Sequence, residues 1–221
     1  EYQDQNSITR LIGGNGQAGL MTEAVRKNPF CLLLLDELEK AHPDILNLFL
    51  QVMDDGRLTD GLGRTVDFTN IILIATSNAG TQFIQDQVAA GTTLIAIKNE
   101  LLERELRPVY RPEFLNRFDD VIVFAPLTRE DVVAIAYLSI VKVVERLKAK
   151  GIEFVVTDEA IHELAEQGYD PKFGARPLRR VIQEKVENPL ADYLLKGQVG
   201  RRDTLIFDKG GVITLNKAAE L

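Results

Sequence analysis

The chain has 221 residues, 45% hydrophobic and 27% charged, with no tryptophan; that is the composition of a folded globular protein of one large or two small domains, and it excludes disordered and fibrous classes. The net charge of −7 falls entirely within residues 1–125, which hold 11 basic and 18 acidic residues, against 15 of each in 126–221. A duplex-binding protein usually carries a basic excess, so nucleic acid is not an expected partner, and the only basic cluster is Arg176, Arg179 and Arg180.

In chain order, residues 21–27 predict a short helix stopped by Pro29. Residues 30–35 follow as an unbroken apolar run ending in Asp36-Glu37, the pattern of a strand buried on both faces. Residues 39–53 place Ile45, Leu46, Phe49, Leu50 and Met53 at helical spacing, with Pro43 near the start. Asp55-Gly56 and the 60–63 turn predict a surface hairpin between 57–59 and 64–68. Residues 71–75 read as a second buried strand running into Thr76-Ser77-Asn78, 98–107 as a charged helix, and 121–124 as a third strand.

Pro126 marks a domain boundary, dividing the chain into 1–125 and 126–221. Beyond it, Thr128 is the expected cap of a long amphipathic helix stopped by Gly151. A strand at 152–156, helices at 158–167 and 176–195, and a hairpin of 205–207 with 212–215 complete the series. The first part thus reads as an α/β core and the second as a small, mostly helical domain with short strands.

Two carboxylates at the carboxyl end of a buried strand stand where open α/β sheets bind ligands. In phosphoryl transfer, one acid of such a pair holds magnesium and its neighbour orients or deprotonates the attacking water. Asp36 and Glu37 fit that pattern, and equally fit the start of the next helix. Asn78 ends the adjacent strand, where its amide can hold a water or simply make a turn. Arg117 can stabilise transferred-phosphate charge in a neighbouring subunit or pair with Asp119 or Asp120. Arg176, before or within the first turn of a helix, offers a phosphate-binding fork or a solvated basic face.

Together these segments resemble the second ATPase module of the Clp-type AAA+ protein unfoldases, ring-forming disaggregases and protease-partner chaperones. The agreement runs in order through 10–13, 20–25, 33–43, 50–68, 76–78, 111–117 and 174–180. The resemblance implies an AAA+ P-loop-type parallel sheet core, incomplete at its N-terminal side in 1–125, followed by the small lid domain in 126–221. It implies ATP and Mg as cofactors, with Asp36 on the metal, Glu37 as the catalytic base of the Walker B pair, Asn78 as sensor 1, Arg117 as a finger acting in trans, and Arg176 as sensor 2. It also implies polypeptide substrates, identical subunits in a hexameric ring, and a protease partner for the members that work with one.

Two departures stand beside it. No G-x-x-x-x-G-K-[ST] occurs in the 221 residues, so the phosphate cradle is absent and the chain alone is expected not to bind ATP in the usual way. Residues 13–19 carry glycines but none of the aromatic grip that relatives place there. With Glu1 in place of methionine, the expectation is a fragment of an ATP-driven unfoldase; the alternative is a non-hydrolysing scaffold that keeps the oligomer interface. The glycine stretch also fits G-x-G-x-x-G, but the polar residues 1–12 are no strand to deliver it to a dinucleotide. Asp54, Asp55 and Asp60 lack the spacing of a calcium loop. No apolar run reaches the ~18 residues of a membrane span, residues 1–6 form no signal peptide, and Cys31 can form no internal disulfide. A reducing soluble compartment, the cytoplasm or an organelle interior, is expected.

Overall fold

The structure, a computed structural model, describes residues 6–14, 16–171 and 173–218. It divides into two compact units, Glu1–Ala125 and Pro126–Leu221. Among the described residues no helix is long and apolar enough to cross a membrane.

The first unit opens with α1 (Asn6–Ile12), followed by the two-residue strands β1 (Gly13–Gly14) and β2 (Gln17–Ala18), paired antiparallel, and α2 (Leu20–Lys27). Three backbones meet here so closely that side chains are excluded. A Cβ on Gly19 would lie 2.2 Å from the Leu11 carbonyl oxygen, and one on Gly61 would lie 2.2 Å from the Gly14 nitrogen. These glycines serve close packing, and a helix rather than a strand precedes them, which removes the dinucleotide reading.

Strand β3 (Leu32–Leu35) starts two residues later than the apolar run. After it, Leu38–Lys40 makes one 3₁₀ turn, and α3 runs over Pro43–Asp55. The expected helix from residue 39 is therefore broken. A residue before proline is pushed to extended backbone, and His42 has φ −62° and ψ 142°; its Nδ1 accepts the Asp44 N–H at 3.3 Å as the cap. Gly56, at φ 63°, ends α3. The hairpin forms from β4 (Arg57–Thr59) and β5 (Thr65–Asp67), with Leu58 and Val66 turned into the core. Asp60 is consumed inside its loop: it accepts the Leu62 and Arg64 N–H groups at 2.9 and 2.8 Å and the Arg64 guanidinium at 2.7 Å.

Strand β6 (Ile72–Ala75) pairs parallel with β3, in register from Leu32↔Ile72 to Leu35↔Ala75. Both strands were expected to be buried on two faces, and only one face is. Leu33, Leu35, Leu73 and Ala75 pack on the core around Phe49, while Leu32, Leu34, Ile72 and Ile74 are exposed. Helices α4 (Thr81–Ala89), which the sequence reading missed, and α5 (Leu94–Leu101) follow. A π turn at Leu102–Leu106 and the short α6 (Pro112–Leu115) come next. The predicted strand at 121–124 does not form. Val121 and Val123 face the core and Ile122 and Phe124 face outward, so the alternation is present, but no described strand pairs with it.

In the second unit, α7 (Arg129–Lys148) starts from a capping box: the Thr128 hydroxyl accepts the Asp131 N–H at 3.1 Å and the Asp131 carboxylate accepts the Thr128 N–H at 2.9 Å. Its buried stripe is Val132, Ala136, Ile140, Val143 and Leu147. Then come β7 (Glu153–Val156), α8 (Asp158–Gly168), α9 (Arg176–Ile182), a π turn at Gln183–Glu187, and α10 (Asn188–Leu195). The single helix expected over 176–195 is thus interrupted by a wide turn. Pro189 has no N–H to give the carbonyl four residues back, and the π turn just before it absorbs the mismatch. Strands β8 (Thr204–Asp208) and β9 (Val212–Asn216) form the hairpin, and β7 joins β8 in parallel.

Candidate functional site

Asp36 and Glu37 leave the carboxyl end of β3 side by side with residues 76–78, which leave the same end of β6. The parallel register sets this up, because Leu35↔Ala75 is the last pair and the next residues of both strands emerge together. The Thr76 hydroxyl donates to Asp36 Oδ1 at 2.5 Å and accepts the Glu37 N–H at 3.0 Å. The Thr76 carbonyl accepts the Leu38 N–H at 2.9 Å, and its own N–H donates to the Leu35 carbonyl at 2.9 Å. Glu37 sits in the left-handed region at φ 53°, ψ 50°, a conformation that costs a non-glycine residue about 1–2 kcal/mol. These four hydrogen bonds hold the chain there.

The Glu37 carboxylate accepts Asn78 Nδ2 at 3.5 Å on Oε1 and pairs with Lys40 Nζ at 2.7 Å through Oε2. That pairing raises the Lys40 ammonium above its ordinary value, through the hydrogen bond first and the charge second. Asn78 Nδ2 also reaches Glu39 Oε1 at 3.2 Å, so one amide bridges two carboxylates. Burial works to raise the Glu39 carboxyl, but its hydrogen bonds to its own N–H, to Ser77 and to Asn78 together outweigh burial and hold it below the usual range. Behind them the buried Tyr110 hydroxyl donates to Ser77 Oγ at 2.9 Å, and burial pushes the Tyr110 phenol up against the opposing effect of that bond. The acids stand at the rim of an open cavity of about 710 Å³ that follows β3 and is otherwise lined mainly by apolar residues, including Met21, Val25, Ile45 and Phe49.

Of the expected site residues, Asp36, Glu37 and Asn78 are brought together. Arg117 follows α6 in the same unit and pairs with Asp54 Oδ1 at 2.6 Å, not with Asp119 or Asp120; Asp120 is taken by Lys98 instead. Both members of the Arg117–Asp54 pair are partly exposed, so it contributes at most about 1 kcal/mol to stability. Arg176 belongs to the second unit, exposed at the first position of α9. Thr76, Glu39 and Lys40 were not singled out from sequence, and Asp54 was weighed only as part of a calcium loop. Thr76 alone had a signal, its place in the Thr-Ser-Asn run.

Residues 1–121 match the family model of the AAA domain (Cdc48 subfamily), more than half of the chain. The chain belongs to the AAA domain family. Residues 127–207 of this AAA chain match the model of the C-terminal D2-small domain of ClpB protein, which sets it among the Clp-type members and at their second module. The chaperone protein ClpB of Rhodopirellula baltica is 46% identical over 217 residues, covering 96% of this chain and 24% of that protein. The ClpC ATP-binding subunit of the ATP-dependent Clp protease from Staphylococcus aureus is 45% identical over 210 residues, 89% of this chain and 26% of that one. The AAA chain therefore spans about a quarter of the length of these relatives. A solved structure of the S. cerevisiae Hsp104:casein complex in its extended conformation superposes with a TM-score of 0.84 at 34% identity, over 98% of this chain and 39% of that one. The architecture is the α/β AAA+ core with its parallel strands, followed by the small helical domain.

Proposed function

We propose that the AAA chain is part of an ATP-driven protein-remodelling machine. In this reading 1–125 serves as the large subdomain and 126–221 as the small domain. The observation that carries it is the convergence of Asp36, Glu37 and Asn78 at one end of a parallel strand pair. The donor set suits magnesium, a hard cation that takes few protein ligands and leaves the rest to phosphate and water. Among the described residues, no group of three or more His, Cys, Asp or Glu side chains could hold a metal. Asp36, exposed and engaged through Oδ1 alone, would hold the ion, and magnesium-bound ATP would supply the phosphoanhydride to be cleaved.

The residues then take distinct tasks. Glu37 accepts the proton of the attacking water and Asn78 orients that water and the carboxylate. Arg117 serves a neighbouring copy's nucleotide in trans, which requires a ring of identical subunits, a hexamer in our reading. Arg176 carries the nucleotide state to the small domain. Relatives are named as a chaperone and as a protease subunit, and the solved structure that this chain resembles is a complex with casein, a polypeptide, so a polypeptide is the proposed substrate and a soluble compartment the proposed setting.

The test is Glu37→Gln in the full-length protein that contains this chain. ATP hydrolysis should fall by roughly 10²–10⁴-fold, while binding of ATP, followed by fluorescence titration, stays within a few-fold. Hydrolysis at the unaltered rate would remove Glu37 from the role.

A further inference from the structure

We infer that Thr76 is a positioning residue for both acids, holding Asp36 in metal-binding orientation and Glu37 in its left-handed turn through one hydroxyl. The inference rests on the proposed reading of Asp36 and Glu37 and extends it to a residue that acts through them. The geometry is specific to a hydroxyl. Thr76 Oγ1 is at once donor to Asp36 Oδ1 at 2.5 Å and acceptor of the Glu37 N–H at 3.0 Å, a pair of roles that valine cannot fill.

The donated bond matters because a carboxylate rotates freely about its last torsion unless one oxygen is tied. Tying Oδ1 leaves Oδ2 as the oxygen free to take a cation, and no other described residue hydrogen-bonds the Asp36 carboxylate. The accepted bond matters because Glu37 is one of only two non-glycine described residues with a left-handed backbone, the other being Arg202. In that conformation the Glu37 amide points across to β6, and Thr76 receives it. The main-chain bonds of Thr76 to Leu35 and Leu38 survive any substitution except proline, so they hold the strands while the hydroxyl alone orients the acids. Partners that orient a metal ligand are worth roughly 10–100-fold in metal affinity or activity.

The experiment is a magnesium titration of ATP hydrolysis in the full-length protein, run for wild type, Thr76→Val, Thr76→Ala, Thr76→Ser and Asp36→Asn, with a thermal melt of each. The hydroxyl-less variants should raise the magnesium concentration for half-maximal rate by about 10-fold or more and lower kcat, with the KM for ATP at saturating magnesium little changed. Thr76→Ser should restore most of both. A serine variant as impaired as the valine and alanine variants would overturn the inference, because the methyl group rather than the hydroxyl would then matter. Unchanged magnesium dependence in Thr76→Val and Thr76→Ala beside an inactive Asp36→Asn would overturn the role of Thr76 and leave the reading of the site intact. Unchanged behaviour in Asp36→Asn as well would overturn the reading and this inference with it. If the valine variant melts early, the alanine and serine pair decides the question alone.

Discussion

Asp203 shows how one buried acid can be kept charged. It is 4% exposed and accepts the Gly200 N–H at 2.7 Å, the Ala218 N–H at 2.9 Å and the Lys217 ammonium at 3.0 Å. The backbone donors, first Ala218 and then Gly200, and next the Lys217 hydrogen bond pull its carboxyl from 3.8 down to about 2. The folded state therefore prefers the ionised acid more than the unfolded chain does. Its stabilisation is full above about pH 4 and is lost as pH falls through about 2. Asp203→Asn should lower the melting temperature of the second unit near neutral pH, and the gap to wild type should close as the melt is repeated toward pH 2. A gap of constant size from pH 7 to 2 would mean that the carboxylate charge is not what the three donors stabilise.

Helix α7 illustrates how an element is set by its ends. Its 20 residues exceed the ~12–15 below which an isolated helix is marginal, and its start is fixed by two reciprocal bonds between Thr128 and Asp131. Removing the hydroxyl leaves the Asp131 N–H without its acceptor. Thr128→Ala should therefore cost about 1 kcal/mol in urea unfolding of the second unit, with the helix content of the folded state unchanged by circular dichroism. No measurable cost would show that water replaces the cap at this exposed end. The same logic of ends explains two of the departures among helices. His42 before Pro43 must be extended, and Pro189 must have a wide turn before it.

At the scale of the molecule, each unit has a core of its own. One gathers Val25, Phe49, Val66 and Phe114, the other Ala136, Leu178, Val186, Leu205 and Phe207. The residues from Asp119 to Thr128 have no regular structure, and Phe124, next to last in the first unit, is 84% exposed. Brief chymotrypsin treatment of the 221-residue chain should therefore cut first at Phe124 and leave two protease-resistant pieces, read by mass spectrometry. Loss of one piece as fast as the junction is cut would mean that its core does not stand alone.

Much of both units is legible from residue order. The apolar runs 30–35 and 71–75, the cap at Thr128 and the turn glycines act within a few residues of themselves, so composition and spacing reveal them. The pair Asp36-Glu37 and the run Thr76-Ser77-Asn78 are visible for the same reason. What only the tertiary structure decided is which segments meet. The register Leu35↔Ala75 delivers the Thr76 hydroxyl to Asp36 across 40 residues, β7 finds its parallel partner in β8 across about 50, and Arg117 selects Asp54 over the nearer Asp119 and Asp120. The run 121–124 has strand alternation and no partner among the described strands. Local backbone preference is a short-range energy that a sequence displays directly. Pairing and register are balances between distant surfaces, and they exist only once the chain has packed.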